Sequence, residues 1–331
     1  MTILVTGGAG YIGSQMVHAL IDRNEDVVVL DDLSAGRQTL IPSGANFVRG
    51  DVGDAALLAA LFARHRFEAI LHFAGSIVVP ESVADPLSYY RNNTAAARTL
   101  IEAAVKADVK RFIFSSSAAV YGNPARSPAR EDDATIPINP YGRSKLMVEW
   151  MLADAADAYG LRYVALRYFN VAGADPKGRT GQSGPKQTHL VKRACLAALQ
   201  RIPVLEIFGT DYSTPDGTCV RDYIHVGDLI TAHLLALDHL RAGRPSGVFN
   251  CGYGHGFSVR EVIASVERVT RRALPVREAA RREGDPAVLV SDPTRIKSVM
   301  GFRPHFDDLD TIVRSALAWE EKQSSETSPL N

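Results

Sequence analysis

The chain is poor in cysteine, has no long apolar run and carries no excess of charge of either sign. Among 331 residues only Cys195, Cys219 and Cys251 are cysteines, widely spaced and odd in number. They form neither a CxxC pair nor a disulfide framework, which points to a reducing compartment, the cytoplasm, and to no structural metal. No stretch reaches the roughly 18 consecutive apolar residues of a membrane span, so no membrane association is expected. The start lacks a basic n-region and glycines interrupt the apolar run after Thr6. The fold is therefore expected to begin at residue 2 rather than after a cleaved leader. Lys+Arg and Asp+Glu both number 37, so nothing marks a nucleic-acid partner. Hydrophobic residues make up 46% and charged residues 22%, which excludes a disordered chain.

What is present is a β/α rhythm. Thr2–Thr6, Asp26–Asp31, Asn46–Arg49, Ala69–Phe73, Arg111–Ser115 and Arg162–Arg167 read as buried strands. Tyr11–Arg23, Asp54–Arg64, Pro86–Ala107 and Tyr141–Tyr159 read as the helices between them. This alternation predicts an α/β fold, a doubly wound parallel (Rossmann) sheet. After about residue 170 the rhythm loosens. Residues 175–185 hold three glycines and two prolines and read as a loop. Lys186–Arg201, Asp228–Leu240 and Asp308–Glu321 read as helices, Ser258-Val-Arg-Glu261 as a capping box, and the run from Gln323 as a frayed tail. The expected division is 1–170 for a nucleotide-binding domain and 171–331 for a smaller C-terminal substrate lobe, with chain crossovers between them allowed.

Gly7-Gly8-Ala9-Gly10-Tyr11-Ile12-Gly13 follows a strand and opens a helix. Glycines at this spacing let the backbone turn tightly and approach a pyrophosphate at the positive helix N-terminus. Asp31 ends the next strand, 18 residues after Gly13, where a carboxylate accepts the adenosine ribose hydroxyls and repels a 2′-phosphate. NAD is therefore the expected cofactor. Arg37 nearby reads as a solvated loop arginine. Asp51, before Val52, either reaches the adenine or caps the following helix. Phe73-Ala74-Gly75 ends the fourth strand with small residues, at the carboxyl edge where ligands bind such sheets.

Ser115-Ser-Ser117 ends a strand, and Tyr141-Gly-Arg-Ser-Lys145 opens a helix. The four-residue spacing puts Tyr141 and Lys145 on one helical face. An ammonium beside a phenol favours the phenolate and predicts a lowered Tyr141 pKa, the condition for a general base acting on an alcohol. Ser117 is placed to hydrogen-bond the same alcohol oxygen.

With these motifs the chain resembles the extended short-chain dehydrogenase/reductase superfamily, and within it the UDP-glucose 4-epimerase family. The resemblance rests on Thr6–Gly13, His72-Phe-Ala-Gly75, Glu81-Ser-Val83, Phe114–Ser117 with Val120-Tyr-Gly122, and Pro140–Lys145. It continues through Leu166-Arg-Tyr-Phe-Asn170, Arg221–Val226 and Arg281-Arg-Glu-Gly-Asp285, and covers about residues 2–320. It implies an isomerase of galactose metabolism that interconverts UDP-glucose and UDP-galactose through a transient 4-keto sugar with firmly held NAD+. Ser117, Tyr141 and Lys145 would be catalytic. Gly7, Gly10, Tyr11, Ile12, Gly13, Asp31, Asp51, Val52, Phe73, Ala74, Gly75, Asn92 (or Asn93), Ser115, Tyr168, Tyr141 and Lys145 would face the cofactor. The UDP-sugar would be met by Ser117, Tyr141, Asn170, His189, Leu190, Arg221, Arg282, Asp285 and Leu289, the last beside the sugar C2 group. The resemblance also implies a homodimer through helices at about 92–107 and 141–159.

The chain departs from the family pattern at two places. Ser76-Ile-Val-Val-Pro80 stands where a cofactor-contacting lysine is frequent, and Gln187-Thr-His189-Leu190 where an Asn-Asn-Leu run is common. Alternative readings are an epimerase of UDP-N-acetylglucosamine or of a UDP-pentose, a 4,6-dehydratase, and a non-catalytic NAD-binding sensor. Ala118-Ala119 stands where a dehydratase of the superfamily carries an acid pair. A steroid dehydrogenase is disfavoured by Arg221 and Arg282.

Overall fold

Six strands of the first half assemble first: β1 (Thr2–Thr6), β2 (Asp26–Asp31), β3 (Asn46–Arg49), β4 (Phe67–His72), β5 (Arg111–Ser117) and β6 (Arg162–Tyr168). The computed structural model describes residues 2–184, 188–282 and 284–327. The strands lie in the order β3-β2-β1-β4-β5-β6, and Gly247–Cys251 adds a seventh beyond β6. Every pairing in this sheet is parallel. The doubly wound sheet read from the sequence is thus the central architecture, completed by a strand from the C-terminal half.

Both faces of such a sheet must be covered, because its strands are apolar on both sides. Successive residues alternate accordingly. Ile3, Val5, Val27, Val29 and Ile113 belong to one core with Met16 and Leu20 of the helix Tyr11–Asp22. Leu4, Val28, Leu30, Phe112 and Phe114 belong to another with Leu100, Val148 and Leu152. The strand order reverses between β1 and β4, which opens a crevice at their carboxyl ends. There Thr6 Oγ1 hydrogen-bonds His72 Nδ1 at 2.7 Å.

The second half contributes short strands. Asn170–Ala172 pairs with Tyr223–His225, and Val220–Arg221 lies between Phe257–Ser258 and Val288–Leu289. Leu205–Phe208 pairs with Val276–Ala279. Asp222 pins these pieces to the sheet. Its buried carboxylate accepts the backbone N–H groups of Tyr253 (2.9 Å) and Ser291 (3.1 Å), while its carbonyl accepts Asn170 N–H at 2.8 Å.

Several elements differ from the sequence reading. The stretch 86–107 is not one helix: Pro86–Tyr89 runs into a wider π-helical turn, Tyr90–Ala95, before Ala96–Lys106 resumes. Such a turn adds a residue and re-aims side chains, and here Asn93 points inward. Lys186 and Gln187 lie outside the described residues, and the observed helix is Leu190–Ala198. The last helix runs Leu309–Thr327, so the frayed tail does not begin at Gln323; residues 328–331 lie outside the described residues. The capping box at Ser258 forms as read, with Glu261 closing it.

Three buried histidines are held neutral. His225 Nδ1 accepts Gly227 N–H at 2.9 Å, capping the helix Val226–Arg241. His233 lies between Leu229 O and the Tyr168 hydroxyl. Burial pushes His72 down to about 3 and His225 and His233 to about 4. Once unfolded, each takes up a proton near pH 6.5, which the folded protein resists. Their contribution is therefore complete above pH 6.5 and is lost as pH falls towards 4, at about 1.4 kcal/mol per pH unit per histidine. Denaturant titrations at pH 7.5 and 5.5 should show a clear loss of unfolding free energy at the lower pH; equal values would contradict the neutral-histidine account.

Candidate active site

The cofactor end is a backbone construction. Gly7 has φ +71°, and a Cβ there would fall 2.5 Å from Ala74 N; one at Gly13 would fall 2.1 Å from Gly7 O. A Cβ at Gly10 would meet only Gly7 O, at 3.3 Å, so its outer side is open. Gly10 precedes the helix Tyr11–Asp22 without a side-chain cap, and the first turn holds no acid. This is the arrangement an anionic pyrophosphate needs. Asp31 ends β2 with its carboxylate accepting Ala9 N–H (2.9 Å) and Leu33 N–H (2.8 Å). Burial pushes its carboxyl up while those bonds pull it down. It is fixed beside the glycine turn with acceptor capacity left for a ribose diol. The residues present therefore fit NAD, and Arg37 is exposed.

Asp51 is not the helix cap; Asp54 is, accepting Ala56 and Leu57 N–H, while Asp51 accepts Gly53 N–H at 2.7 Å and stays exposed. Val52 is buried beside it. Tyr11 is turned away to donate to Gly173 O at 2.6 Å, which ties the glycine turn to the second half. Ile12 packs on the core. Phe73 lies against His233 at 4.9 Å between ring centroids. Asn93, rather than Asn92, is the buried asparagine: it accepts Ser76 N–H at 2.7 Å and donates to Ser144 Oγ at 3.0 Å. Its Oδ1 would lie 3.0 Å from a Cβ at Gly75, and Lys145 Nζ 3.7 Å from it. Asn92 is exposed and donates to Ser76 Oγ.

The reactive side chains meet at the carboxyl end of β5. Asn139 caps the helix Pro140–Tyr159 by accepting Gly142 N–H at 2.8 Å, and that helix carries Tyr141 and Lys145. The Ser117 hydroxyl lies beside the Tyr141 phenol and draws its proton affinity down, while accepting Ala119 N–H at 3.2 Å. Lys145 Nζ donates to Ser115 O at 2.9 Å and lies 6.0 Å from the Tyr141 ring centroid. Tyr168 is buried alongside. The phenol is not lowered as the sequence predicts. Burial raises it above the ordinary tyrosine range, and the Ser117 hydroxyl offsets this only in part. The physical reason is on the lysine: the same burial pushes Lys145 down to about 8 and its ammonium is aimed at Ser115 O.

Facing this end, Arg221 Nη2 approaches Asp285 Oδ1 at 3.5 Å, and Leu289 sits opposite Arg221 in the strand register. Leu289 is buried in a cluster with Ala118, Tyr121, Leu146 and Phe169, so it bridges the lobe and the Tyr141 helix. Arg282 stacks 3.7 Å above the Phe208 ring, a platform that no motif signalled. Glu283 of the same run lies outside the described residues. Asn170, His189 and Leu190 line one cavity together with Tyr223. His189 meets Gln182 through Nδ1 and is pushed down to about 4 by burial and by Lys192. Among the described residues no cluster could hold a metal, and no helix is long and apolar enough to cross a membrane.

Known proteins match along almost the whole chain. Residues 3–252 fit the model of the NAD dependent epimerase/dehydratase family. The chain is 59% identical over 318 residues to a UDP-glucose 4-epimerase of Azospirillum brasilense, covering 96% of this chain and 91% of that protein. The crystal structure of UDP-glucose 4-epimerase from Brucella ovis in complex with NAD superposes with a TM-score of 0.92 at 48% identity, over 96% of this chain and 97% of that one. That of the UDP-Glc/GlcNAc 4-epimerase from Campylobacter jejuni does so with a TM-score of 0.85 at 46% identity, over 97% and 99%. A glycine turn at the start of the first helix, Asp31 fixed beside it and a Ser117/Tyr141/Lys145 cluster at the end of β5 thus occur in a chain that belongs to the NAD dependent epimerase/dehydratase family.

Proposed function

We propose that the protein is a UDP-glucose 4-epimerase that interconverts UDP-glucose and UDP-galactose with NAD held in its N-terminal domain, residues 1–170. The observation that carries this reading is the meeting of Ser117, Tyr141 and Lys145 at the carboxyl end of a sheet that also presents Asp31 and the glycine turn. Bound NAD+ supplies the acceptor for the hydrogen leaving C4 of the sugar and the donor that returns it. Tyr141 takes the proton of the 4-hydroxyl and gives it back after the sugar has turned. Ser117 fixes the phenol and the reacting oxygen. Lys145, once its ammonium faces the phenol, stabilises the phenolate; its burial makes that charge sensitive to pH near 8. Arg221 and Arg282 hold the pyrophosphate by charge-assisted bonds. Asp285 takes the uridine ribose, and Asn170, His189 and Leu190 line the uridine side. The lobe 171–331 grips the UDP moiety while the 4-keto sugar presents its other face. A dehydratase is disfavoured by the buried Ala118 directly after Ser117.

Purified protein should convert UDP-galactose to UDP-glucose without added NAD+ and release about one NAD(H) per chain on denaturation. Tyr141→Phe should lower turnover about 10²-fold or more while UDP-sugar binding persists. Release of NADP instead, or a Phe variant of normal rate, contradicts the assignment.

Leu289 sets the sugar preference. It lacks the bulk of a tyrosine and any hydrogen bond for an acetamide, and a misfit of that kind is worth about 10–200-fold. The N-acetylated pair should therefore turn over measurably but less efficiently than the glucose/galactose pair, and Leu289→Ser should narrow the gap. A wild type that prefers UDP-N-acetylglucosamine, or a Ser variant without gain, contradicts the gate.

The protein acts as a homodimer in the cytoplasm. Trp150 on the helix Pro140–Tyr159 is 57% exposed, and Val83 (50%) and Leu87 (76%) stand on short helices packed against it. Exposed apolar side chains on adjoining elements mark an interface, and the free cysteines suit a reducing compartment. Light scattering should give twice the chain mass of 35.9 kDa; a monomer contradicts it.

A further inference from the structure

Behind the reactive side chains lies a buried ionic cluster that the mechanism above leaves unused. Glu149 and Arg167 are 4% and 5% exposed, and their ion pair is bidentate: Arg167 Nε donates to Oε1 at 3.0 Å and Nη2 to Oε2 at 2.6 Å. Ser116 Oγ donates to the same Oε1 at 2.5 Å. Arg167 Nη1 then donates to the Tyr121 hydroxyl at 2.9 Å, which donates to Asn250 Oδ1 at 2.7 Å in the seventh strand. The cluster joins the Tyr141 helix, β5, β6 and the strand Gly247–Cys251.

Its placement is specific. Tyr141, Lys145 and Glu149 follow one another at four-residue spacing and form a stripe on one helical face. Each meets one of three consecutive serines of β5: Tyr141 the hydroxyl of Ser117, Lys145 the carbonyl of Ser115, Glu149 the hydroxyl of Ser116. The rest of the helix–sheet contact is apolar, with Val148 and Leu152 against Phe112 and Phe114. Apolar burial is non-directional and does not fix the phase or depth of a helix on a sheet. A forked guanidinium–carboxylate pair with a third bond from the strand is directional and does.

We propose that Glu149, held between Ser116 and Arg167, is a positioning residue that sets the register of the Tyr141 helix on β5 and so aligns Tyr141 and Lys145 with Ser117 and Ser115. The proposal rests on the epimerase reading of the same site. A small displacement at a reacting group costs rate with little effect on binding. Substrate affinity resides in the lobe, so a slackened register acts on kcat and on the protonation behaviour of the Tyr141–Lys145 pair.

The test is Ser116→Ala, which removes one bond to Glu149 and leaves the ion pair intact, beside Glu149→Gln and Ser116→Thr. Steady-state epimerisation of UDP-galactose is followed across pH on protein checked for folding and NAD content. Ser116→Ala should lower kcat on the order of tenfold with KM unchanged and shift the limb of the kcat profile that reports the pair; Glu149→Gln should do more. Ser116→Thr, which keeps the hydroxyl, should restore both. Wild-type kcat and an unshifted profile in Ser116→Ala, whatever its melting temperature, overturn the proposal even where Glu149→Gln does not fold. A wild type inactive on UDP-galactose overturns the epimerase reading itself, and the two failures are told apart by that control.

Discussion

Lys145 donates to the carbonyl of Ser115 at the point where β5 ends and the chain turns back towards the lobe. This bond places a buried ammonium within the site, and the remaining geometry arranges itself around that constraint. The same burial that pushes Lys145 down to about 8 raises the Tyr141 phenol, and Lys145 adds to the push on His72. A lysine and a tyrosine that share a dry site both favour their neutral forms, so their proton affinities move apart and reverse the order they have in water. A charged or hydrogen-bonding ligand brought between them then decides where the proton sits. The site is thereby poised for proton exchange with a bound hydroxyl, and the sheet edge holds it beside the glycine turn.

The second half of the chain does more than add a binding lobe. It supplies the seventh strand of the central sheet and accepts the Tyr11 hydroxyl on Gly173. Asp222 gathers backbone donors from three separate segments, Asn170, Tyr253-Gly254 and Ser291, while the adjacent Arg221 faces Asp285. Arg221 directly precedes the anchoring Asp222, so the lobe cannot shift without moving this arginine. Leu289 shares a cluster with Leu146 of the Tyr141 helix, which couples the lobe to that helix.

The central sheet was legible in the sequence because its strands are short, have apolar centres and are bounded by polar, charged or glycine residues, and because helices of regular spacing separate them. The glycine turn, Asp31 and Tyr141/Lys145 were legible because their spacing has a physical meaning at one strand end. The strand Gly247–Cys251 was not, since nothing local distinguishes a strand that rejoins the first sheet from one that stays in the lobe. The break in the helix at Tyr90–Ala95 was hidden by a residue pattern compatible with continuous helix; only the packing of Asn93 on Ser76 and Ser144 selects the wider turn. Glu149 carried no signal in the sequence, because its partner Arg167 is 18 residues away and on another element. The lobe strands of two to four residues are too short to show a period, so Phe208 beneath Arg282 carried no signal.

The central claim is that Tyr141 handles only the hydroxyl proton, while the hydrogen on C4 leaves and returns without meeting water. UDP-galactose carrying deuterium at C4, turned over in ordinary water and read by mass spectrometry and proton NMR, tests this directly. The account predicts UDP-glucose that keeps the deuterium at C4. Loss of the label to solvent, or its appearance at another carbon, would contradict it.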